Sequence, residues 1–239
     1  MYRGSTKEHS DPLMRTYLED LIYRLSETSE VRDRRFEFII LEDKTINAFA
    51  APGGIIGINL GMFLNTEREG ELASVMCHEL AHLSQRHFAR SQNRNSPLAN
   101  ALMILGSIAV AAASRNPEAI LIAPAAMQQM SINYTRSNEK EADRIGFNNL
   151  VKAGFDPNDM TMMFQRMQDK YQNEDSEQFS YLMTHPLPSE RLTDMRIRAD
   201  GLKNNSKNSF RDNLDFYLIQ KRAQVWAEKD IKELVKRFK

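Results

Sequence analysis

Residues 72–87 read LASVMCHELAHLSQRH, and this stretch decides the fold. Its apolar residues recur three or four positions apart, as they do along the buried face of a helix. They are Leu72, Val75, Met76, Leu80 and Leu83. Just upstream, Thr66 and Glu69 fit the capping-box pattern that marks a helix start. The sequence therefore predicts one long helix from Thr66 to about Arg94.

His78, Glu79 and His82 place the pattern His-Glu-x-x-His on that helix. Residues four apart differ by about 40° around a helix axis, so the two imidazoles leave the same face and can share one metal ion. Glu79 stands beside them, where its carboxylate can take a proton from a metal-activated water and return it to a leaving amine. The pattern predicts a catalytic zinc site. The alternative is a helix with two exposed histidines and a solvated glutamate.

His87 is one candidate for the third protein ligand that a catalytic zinc needs. On a continuous helix it would lie about 140° around the axis from His82. In addition, Gln85 stands where the extended metzincin motif requires glycine. We therefore expect His87 to be a surface side chain, or one whose hydrogen bonds are satisfied elsewhere.

Glu139 is the better candidate, because Glu139 and Asp143 are again four positions apart on a predicted helix. Glu139 can complete a His-His-Glu site. Asp143 can then accept the second N–H of a ligand histidine or assist proton transfer. Glu141, between them, is expected to point away. Two ordinary surface acids would show the same spacing, so the pair alone leaves that alternative open.

Taken together, the two motifs resemble the zinc metallopeptidase family that includes the CAAX prenyl endopeptidases and the HtpX-like heat-shock proteases. Within that family, further segments are similar to the periplasmic β-barrel assembly-enhancing proteases. These segments are Ile46–Phe49, Leu72–Met76, Ser84–His87, Ala153–Pro157 and Thr184–Leu192. The resemblance covers the chain from about Asp11 to Asp215.

The resemblance implies a zincin fold of the gluzincin type, with one zinc ion on His78, His82 and Glu139. It also implies Glu79 as the general base and Asp143 as an outer partner or proton-donating acid. The implied activity is an endopeptidase that hydrolyses unfolded or misassembled proteins in the periplasmic quality control of outer-membrane proteins. The outer-membrane β-barrel assembly machinery is then a candidate partner, and a membrane-proximal location follows.

His185 opens the segment His-Pro-Leu-Pro, which cannot remain helical for long. One interpretation is a rigid loop whose histidine caps a neighbouring helix. In the resembling family, the matching histidine is understood as an inhibitory plug on the open position of the zinc. A catalytic site works only while that position can exchange. The resemblance therefore implies a latent enzyme that His185 holds inactive.

The composition excludes several classes of protein. With 32 basic and 32 acidic side chains the net charge is zero, which argues against a nucleic-acid binder because such a protein needs a basic surplus. The single cysteine, Cys77, allows no internal disulfide and no cysteine-based zinc site.

No signal peptide is expected in this chain, because its first residues lack an apolar region, so the periplasmic location depends on the resemblance. The longest apolar run, 101–113, is shorter than the roughly 20 residues that span a bilayer. We interpret this run as core, as a lid over the cleft, or as a surface that meets a membrane or an unfolded protein.

The predicted fold class is α+β, mostly helical with a small, mainly antiparallel sheet. Strands are predicted at 35–41, 46–51 and 55–60, and the turn Ala51–Gly54 joins the last two. One of these two strands is expected to edge the cleft and to bind an extended substrate through its backbone. We divide the chain into a metallopeptidase domain at 1–205 and a C-terminal helical extension at 206–239. In the resembling proteins, tetratricopeptide repeats would continue from such an extension.

Two rival functions remain open. The first is a chaperone or assembly factor with a latent zinc site, which binds unfolded proteins and does not cut them. The second is a membrane-embedded prenyl-protein peptidase, but it needs spanning helices that the sequence does not show. The group that completes an oxyanion hole is also open, with Tyr134, Arg136 and Arg191 as unranked candidates.

Overall fold

The computed structural model describes residues 7–94, 119–173, 180–202 and 213–228. These residues are mostly helical and include a small sheet, which confirms the expected fold class. In chain order the elements are α1 (Pro12–Thr28), β1 (Glu37–Leu41), β2 (Ala48–Ala51), β3 (Ile55–Asn59), α2 (Leu60–Asn65), α3 (Glu69–Ser84), α4 (His87–Arg94), α5 (Ala119–Lys152), α6 (Asn158–Asn173), α7 (Ser180–Thr184), α8 (Ser189–Leu202) and α9 (Leu214–Ala227).

The sheet has the strand order β1–β3–β2 and is mixed. β2 and β3 form the expected antiparallel hairpin, whereas β1 pairs with β3 in parallel. The sheet was expected to be mainly antiparallel, and it instead has one antiparallel and one parallel pair of strands. β3 is central and β2 is an edge strand, which decides between the two strands proposed to edge the cleft.

The hairpin turn requires glycine at its end. Gly53 and Gly54 have φ angles of 91° and 82°, a left-handed conformation that side chains other than glycine rarely adopt. A side chain at Gly54 would also collide with the carbonyl oxygen of Arg35. The glycines thus hold β2 and β3 in register beside the cleft.

Helix α3 lies in the middle of the core and carries the His-Glu-x-x-His pattern. Every residue from Gly70 to Ala81 is buried, and α3 packs against α5 and α6. Where α3 meets α5, a Cβ atom built on Gly146 would lie 3.0 Å from the backbone N and Cα of His78. The absence of a side chain at Gly146 therefore lets the two helices approach closely at the first motif histidine.

The predicted ends of this helix are wrong at both sides. It begins at Glu69, while Thr66 follows α2 and its hydroxyl donates to the Met62 carbonyl at 3.0 Å, so the capping box does not form. It ends at Ser84, and α4 begins at His87. Between them Arg86 has a φ of 53°, a left-handed conformation that turns the chain and that no glycine or proline announces in the sequence.

Helix α9 packs onto the same core as the rest of the described chain. Phe216, Ile219 and Ala223 are buried there, and Arg222 Nε donates to Asp11 Oδ2 at 2.6 Å.

The division into a metallopeptidase domain at 1–205 and an extension at 206–239 stays a prediction. The apolar run 101–113 lies outside the described residues. Among the described helices, none combines the length and apolar character that crossing a bilayer requires.

Candidate active site

Four side chains of the kind that bind metals converge beneath the edge strand. They are His78, His82, Glu139 and His185, and one potential ligand atom from each lies within 4.8 Å of the others. The two motif nitrogens, His78 Nε2 and His82 Nε2, are 2.9 Å apart. The Glu139 carboxylate lies 3.4 Å from the first and 3.3 Å from the second. The structure thus brings together all four residues that the sequence proposed around the metal.

The electrostatics of this cluster fit a bound cation. Burial by itself lowers the pKa of His78, but contacts with Asp143 and Glu139 outweigh it and raise that pKa to about 9. Burial raises the pKa of Glu139, but hydrogen bonds from His185, His78 and His82 hold it well below its usual range. The site therefore favours positive charge. Two imidazoles and a carboxylate are also the donor set of a zincin-type metal site, so these residues fit a divalent metal ion.

Asp143 and Arg191 lie behind His78. Asp143 Oδ1 is 3.0 Å from His78 Nδ1, and Arg191 donates to both Asp143 oxygens at 2.6 and 2.7 Å. Burial raises the pKa of Asp143, but the Arg191 guanidinium brings it below its usual value. These contacts favour the role of an acceptor for the ligand histidine over that of a proton donor.

The three candidates for the oxyanion-stabilising group are now distinguishable in part. Arg191 is 3% exposed, and its guanidinium contacts Asp143, Glu139 and the Pro186 carbonyl. The guanidinium of Arg191 therefore already binds groups of the protein itself, which makes it a weaker candidate for contacting an oxyanion. Arg136 is exposed on α5, and the side chain of Tyr134 lies outside the described residues.

Glu79 lies between the edge strand and His185. The carboxylate is buried, and its Oε2 accepts the backbone N–H of Ala50 at 3.1 Å. Its Oε1 is 3.6 Å from His185 Nε2. The strand thus orients the carboxylate beside the metal-binding cluster, where a general base for an attacking water belongs.

His185 follows α7 and is directed at the cluster, not at a helix end. Its Nδ1 donates to Glu139 Oε1 at 3.0 Å. Its ring stacks on Tyr181 with centroids 4.5 Å apart and an interplanar angle of 27°. Tyr181 in turn donates its backbone N–H to the Ile46 carbonyl at 3.2 Å, which ties α7 to the chain just before β2.

His87 is not among the four clustered side chains, but it lies closer to them than the helical angle predicted. It is 4% exposed, so the surface alternative is wrong, and its hydrogen bonds are satisfied. Its Nδ1 lies 2.8 Å from His82 Nδ1, and its Nε2 lies 2.9 Å from Glu141 Oε2. The angular argument failed because it assumed one continuous helix, which the turn at Arg86 interrupts.

An open cleft of about 1320 Å³ leads to the cluster. Its walls include the β2 residues Phe49 and Ala50, the turn glycines Gly53 and Gly54, and the α4 residue Phe88. Glu79, His82, Glu139 and His185 also line it. The edge strand and the cluster therefore line the same cleft.

The fold and the site together define a metallopeptidase of the zincin type, with the pattern His-Glu-x-x-His on a buried helix and an acidic ligand on a second helix. The profile of peptidase family M48 matches residues 12–199. The chain therefore belongs to peptidase family M48, in agreement with the resemblance of its motifs.

The similar curated proteins are peptidases by name. The chain is 45% identical over 204 residues to the "Putative beta-barrel assembly-enhancing protease" of Vibrio cholerae, covering 83% of this chain and 42% of that protein. It is 38% identical over 230 residues to the "Beta-barrel assembly-enhancing protease" of Escherichia coli O157:H7, covering 92% and 45%. The "Mitochondrial metalloendopeptidase OMA1" of Schizosaccharomyces pombe is 27% identical over 197 residues, covering 80% and 56%. The chain thus spans less than half the length of the two bacterial relatives.

Proposed function

We propose that this chain is a zinc-dependent endopeptidase that cuts unfolded or misassembled proteins. The observation that carries the proposal is the convergence of His78, His82 and Glu139 next to the carboxylate of Glu79. Imidazole and carboxylate donors suit zinc. When bound, the zinc ion supplies a Lewis acid that activates water and polarises the scissile carbonyl.

The protein residues transfer the proton, bind the substrate and orient the ligands. Glu79 takes the proton of the attacking water and returns it to the leaving amine, and the Ala50 N–H holds its carboxylate in place. The edge strand β2 offers its unpaired backbone groups to an extended segment, except for the Ala50 N–H, which donates to Glu79. Recognition of this kind reads backbone rather than side chains, so it suits segments that have lost their fold. Asp143 keeps His78 oriented.

His185 is proposed as the group that keeps this site latent. It belongs to the same set of ligand atoms as His78, His82 and Glu139, so it can occupy the position on the metal that water needs. Its contacts with Glu139 and Tyr181 hold it there. In this state the protein binds metal but does not cut. This observation also favours the second candidate function, a chaperone or assembly factor that acts by binding alone.

The bacterial relatives are named for enhancing β-barrel assembly. By analogy we place this chain in the periplasm, in the quality control of outer-membrane proteins. The β-barrel assembly machinery is its proposed partner.

The test is cleavage of an unfolded model protein by zinc-loaded wild type, His185→Ala, and His185→Ala combined with Glu79→Gln. We expect the single variant to cut faster than wild type. The double variant should lose about 10²–10⁴-fold of that rate, as expected for a lost general base. His9→Ala changes a buried histidine outside the cluster and serves as the matched control.

Two results would count against the proposal. A folded, zinc-loaded His185→Ala variant that cuts no faster than wild type removes the role of His185 as a plug. If none of the variants cuts although zinc is bound and unfolded protein binds, the binding function replaces the peptidase.

A further inference from the structure

The two motif histidines have different partners on the nitrogens that face away from the cluster. His78 Nδ1 faces a carboxylate, that of Asp143, at 3.0 Å. His82 Nδ1 faces a second imidazole, that of His87, at 2.8 Å. A histidine that binds a metal commonly donates its other N–H to a carboxylate, a carbonyl or water. The imidazole partner of His82 therefore needs its own explanation.

The turn before His87 sets this contact. α3 ends at Ser84 and Gln85 caps it, Arg86 adopts the left-handed φ of 53°, and α4 begins at His87. A residue other than glycine in this conformation costs about 1–2 kcal/mol. The turn brings the His87 ring back onto His82, with centroids 4.8 Å apart and an interplanar angle of 76°. The chain thus retains an unfavourable backbone conformation at the residue that places His87.

The hydrogen bonds beyond His82 can run in one direction only. A neutral His82 that offers Nε2 to a metal carries its proton on Nδ1. His87 must then accept at Nδ1, so its own proton lies on Nε2 and is donated to Glu141 Oε2 at 2.9 Å. The same Glu141 oxygen accepts from Arg90 Nη1 at 3.3 Å. Each donor in this row of hydrogen bonds, which runs from His82 through His87 to Glu141, has an acceptor. The row ends on the Glu141 carboxylate, which is paired with Arg90.

We propose that His87 is a positioning residue for the metal site, acting through His82. It fixes which His82 nitrogen carries the proton, holds the plane of the ring, and connects His82 to the negative charge of Glu141. The arrangement parallels that of His78, whose partner Asp143 is paired with Arg191. This inference rests on the proposed metal site and adds residues outside the set of ligands.

The residues behind His78, Asp143 and Arg191, are more buried than the Glu141–Arg90 pair at the end of the row behind His82. The side chains of Asp143 and Arg191 are 2% and 3% exposed, whereas those of Glu141 and Arg90 are 29% and 48% exposed. Salt screens exposed charges much more than buried ones. The contribution of Glu141 to metal binding should therefore be smaller than that of Asp143 and should decrease with ionic strength.

The experiment measures zinc affinity by competition with a chelator, and the absorption spectrum of the cobalt-substituted protein. His87→Leu removes the nitrogen that accepts from His82 and keeps much of the side-chain volume. His87→Gln keeps an amide oxygen for His82 and an N–H for Glu141. Glu141→Gln removes only the charge at the end of the row. His9→Leu is the matched control, because His9 is a buried histidine outside the cluster.

We expect His87→Leu to weaken zinc binding about 10- to 100-fold, the usual effect of losing such an outer partner, and to alter the cobalt spectrum. His87→Gln should restore most of the affinity, and Glu141→Gln should lose a few-fold at low salt and less at high salt. A role in packing alone would instead lower the melting temperature of both His87 variants without changing zinc affinity.

Wild-type zinc affinity and an unchanged cobalt spectrum in folded His87→Leu overturn the inference. If that variant does not fold, unchanged zinc affinity in Glu141→Gln at low salt overturns it. A wild-type chain that binds no divalent metal overturns the proposed function itself, which separates the two failures.

Discussion

At the scale of single residues, Arg191 pairs with two buried carboxylates next to the proposed metal ligands, those of Asp143 and Glu139. It donates to both oxygens of Asp143 and to the Pro186 carbonyl, and lies 2.9 Å from Glu139. Removing one partner of a buried ion pair leaves the other charge without compensation, which typically costs about 3–5 kcal/mol.

We therefore expect Arg191→Met to lower the free energy of unfolding by about 3–5 kcal/mol, measured by denaturant unfolding with a chelator present. Arg198→Met is the control, because Arg198 forms an i,i+4 pair with Asp194 on the surface of the same helix. Such a pair contributes about 1 kcal/mol or less. Equal losses in the two variants would contradict the role assigned to Arg191.

The grouping of the proposed metal ligands was largely predictable from the sequence, because regular helical spacing places His78 beside His82 and Glu139 beside Asp143. The sequence did not indicate the contact between His87 and His82. That contact depends on the left-handed backbone of Arg86, a conformation that an arginine does not signal. The bond from Arg191 to Asp143 depends on how α8 meets α5, which no local pattern records.

At the scale of elements, the crossing of α3 and α5 depends on Gly146. A methyl group there would lie 3.0 Å from the backbone of His78, and backbone atoms cannot move aside as a flexible side chain can. We expect Gly146→Ala to push the helices apart, to lower the melting temperature, and to weaken zinc binding because Glu139 moves away from His78.

Gly201→Ala is the matched control, since Gly201 also lies in a helix but a methyl group there meets no atom within 4 Å. It should stabilise the protein by up to about 1 kcal/mol, the usual gain from alanine in a helix. Thermal unfolding and zinc titration check both variants. Comparable stability and zinc affinity in the two would mean that the close approach at Gly146 is not required.

Asp159, on α6, makes stability depend on pH at the joint between α6 and the start of α3. Burial raises the pKa of Asp159 to about 7; Arg68, 3.1 Å away, opposes this shift, while Asp156 and Glu71 reinforce it. The folded chain therefore keeps this proton to a higher pH than the unfolded chain does. As the pH rises from about 4 to about 7, this group makes folding progressively less favourable.

Asp159→Asn removes this effect, so its melting temperature relative to wild type should rise as the pH increases from 5 to 8. Both proteins are compared at the same zinc concentration, so that other titrating groups cancel. A constant or falling difference would show that Asp159 does not carry the shift.

The sheet shows which features of the elements the sequence could not define. The turn at Gly53 and Gly54 predicted the hairpin correctly. By contrast, the apolar run 38–41 in β1 predicts a strand but not which strand is its neighbour. The parallel pairing of β1 with β3, and hence the position of β2 at the edge, results from tertiary packing.

At the scale of the whole molecule, the proposed metal ligands connect separate parts of the chain. His78 and His82 lie on α3, Glu139 lies on α5, and His185 follows α7. A ligand that binds only the folded state stabilises it by about 2.7 kcal/mol at one hundred times its dissociation constant.

Chelation of the metal should therefore lower the melting temperature by about 5–10 °C for a chain of this size. Calorimetry with and without chelator checks this, and Glu139→Gln should show a smaller difference. An unchanged melting temperature after confirmed removal of the metal would mean that the site does not connect these elements.

The sequence separation of these contacts also has a consequence for the order of folding. Glu139 lies 61 residues beyond its neighbour His78, and the pair of Arg191 with Asp143 spans 48 residues. Closing such long loops costs entropy that local helix formation does not, so distant contacts are slow to form. Cleavage competence should therefore arise only once the helices have docked. A chain still emerging from synthesis would then carry its motifs without being able to digest itself or its neighbours.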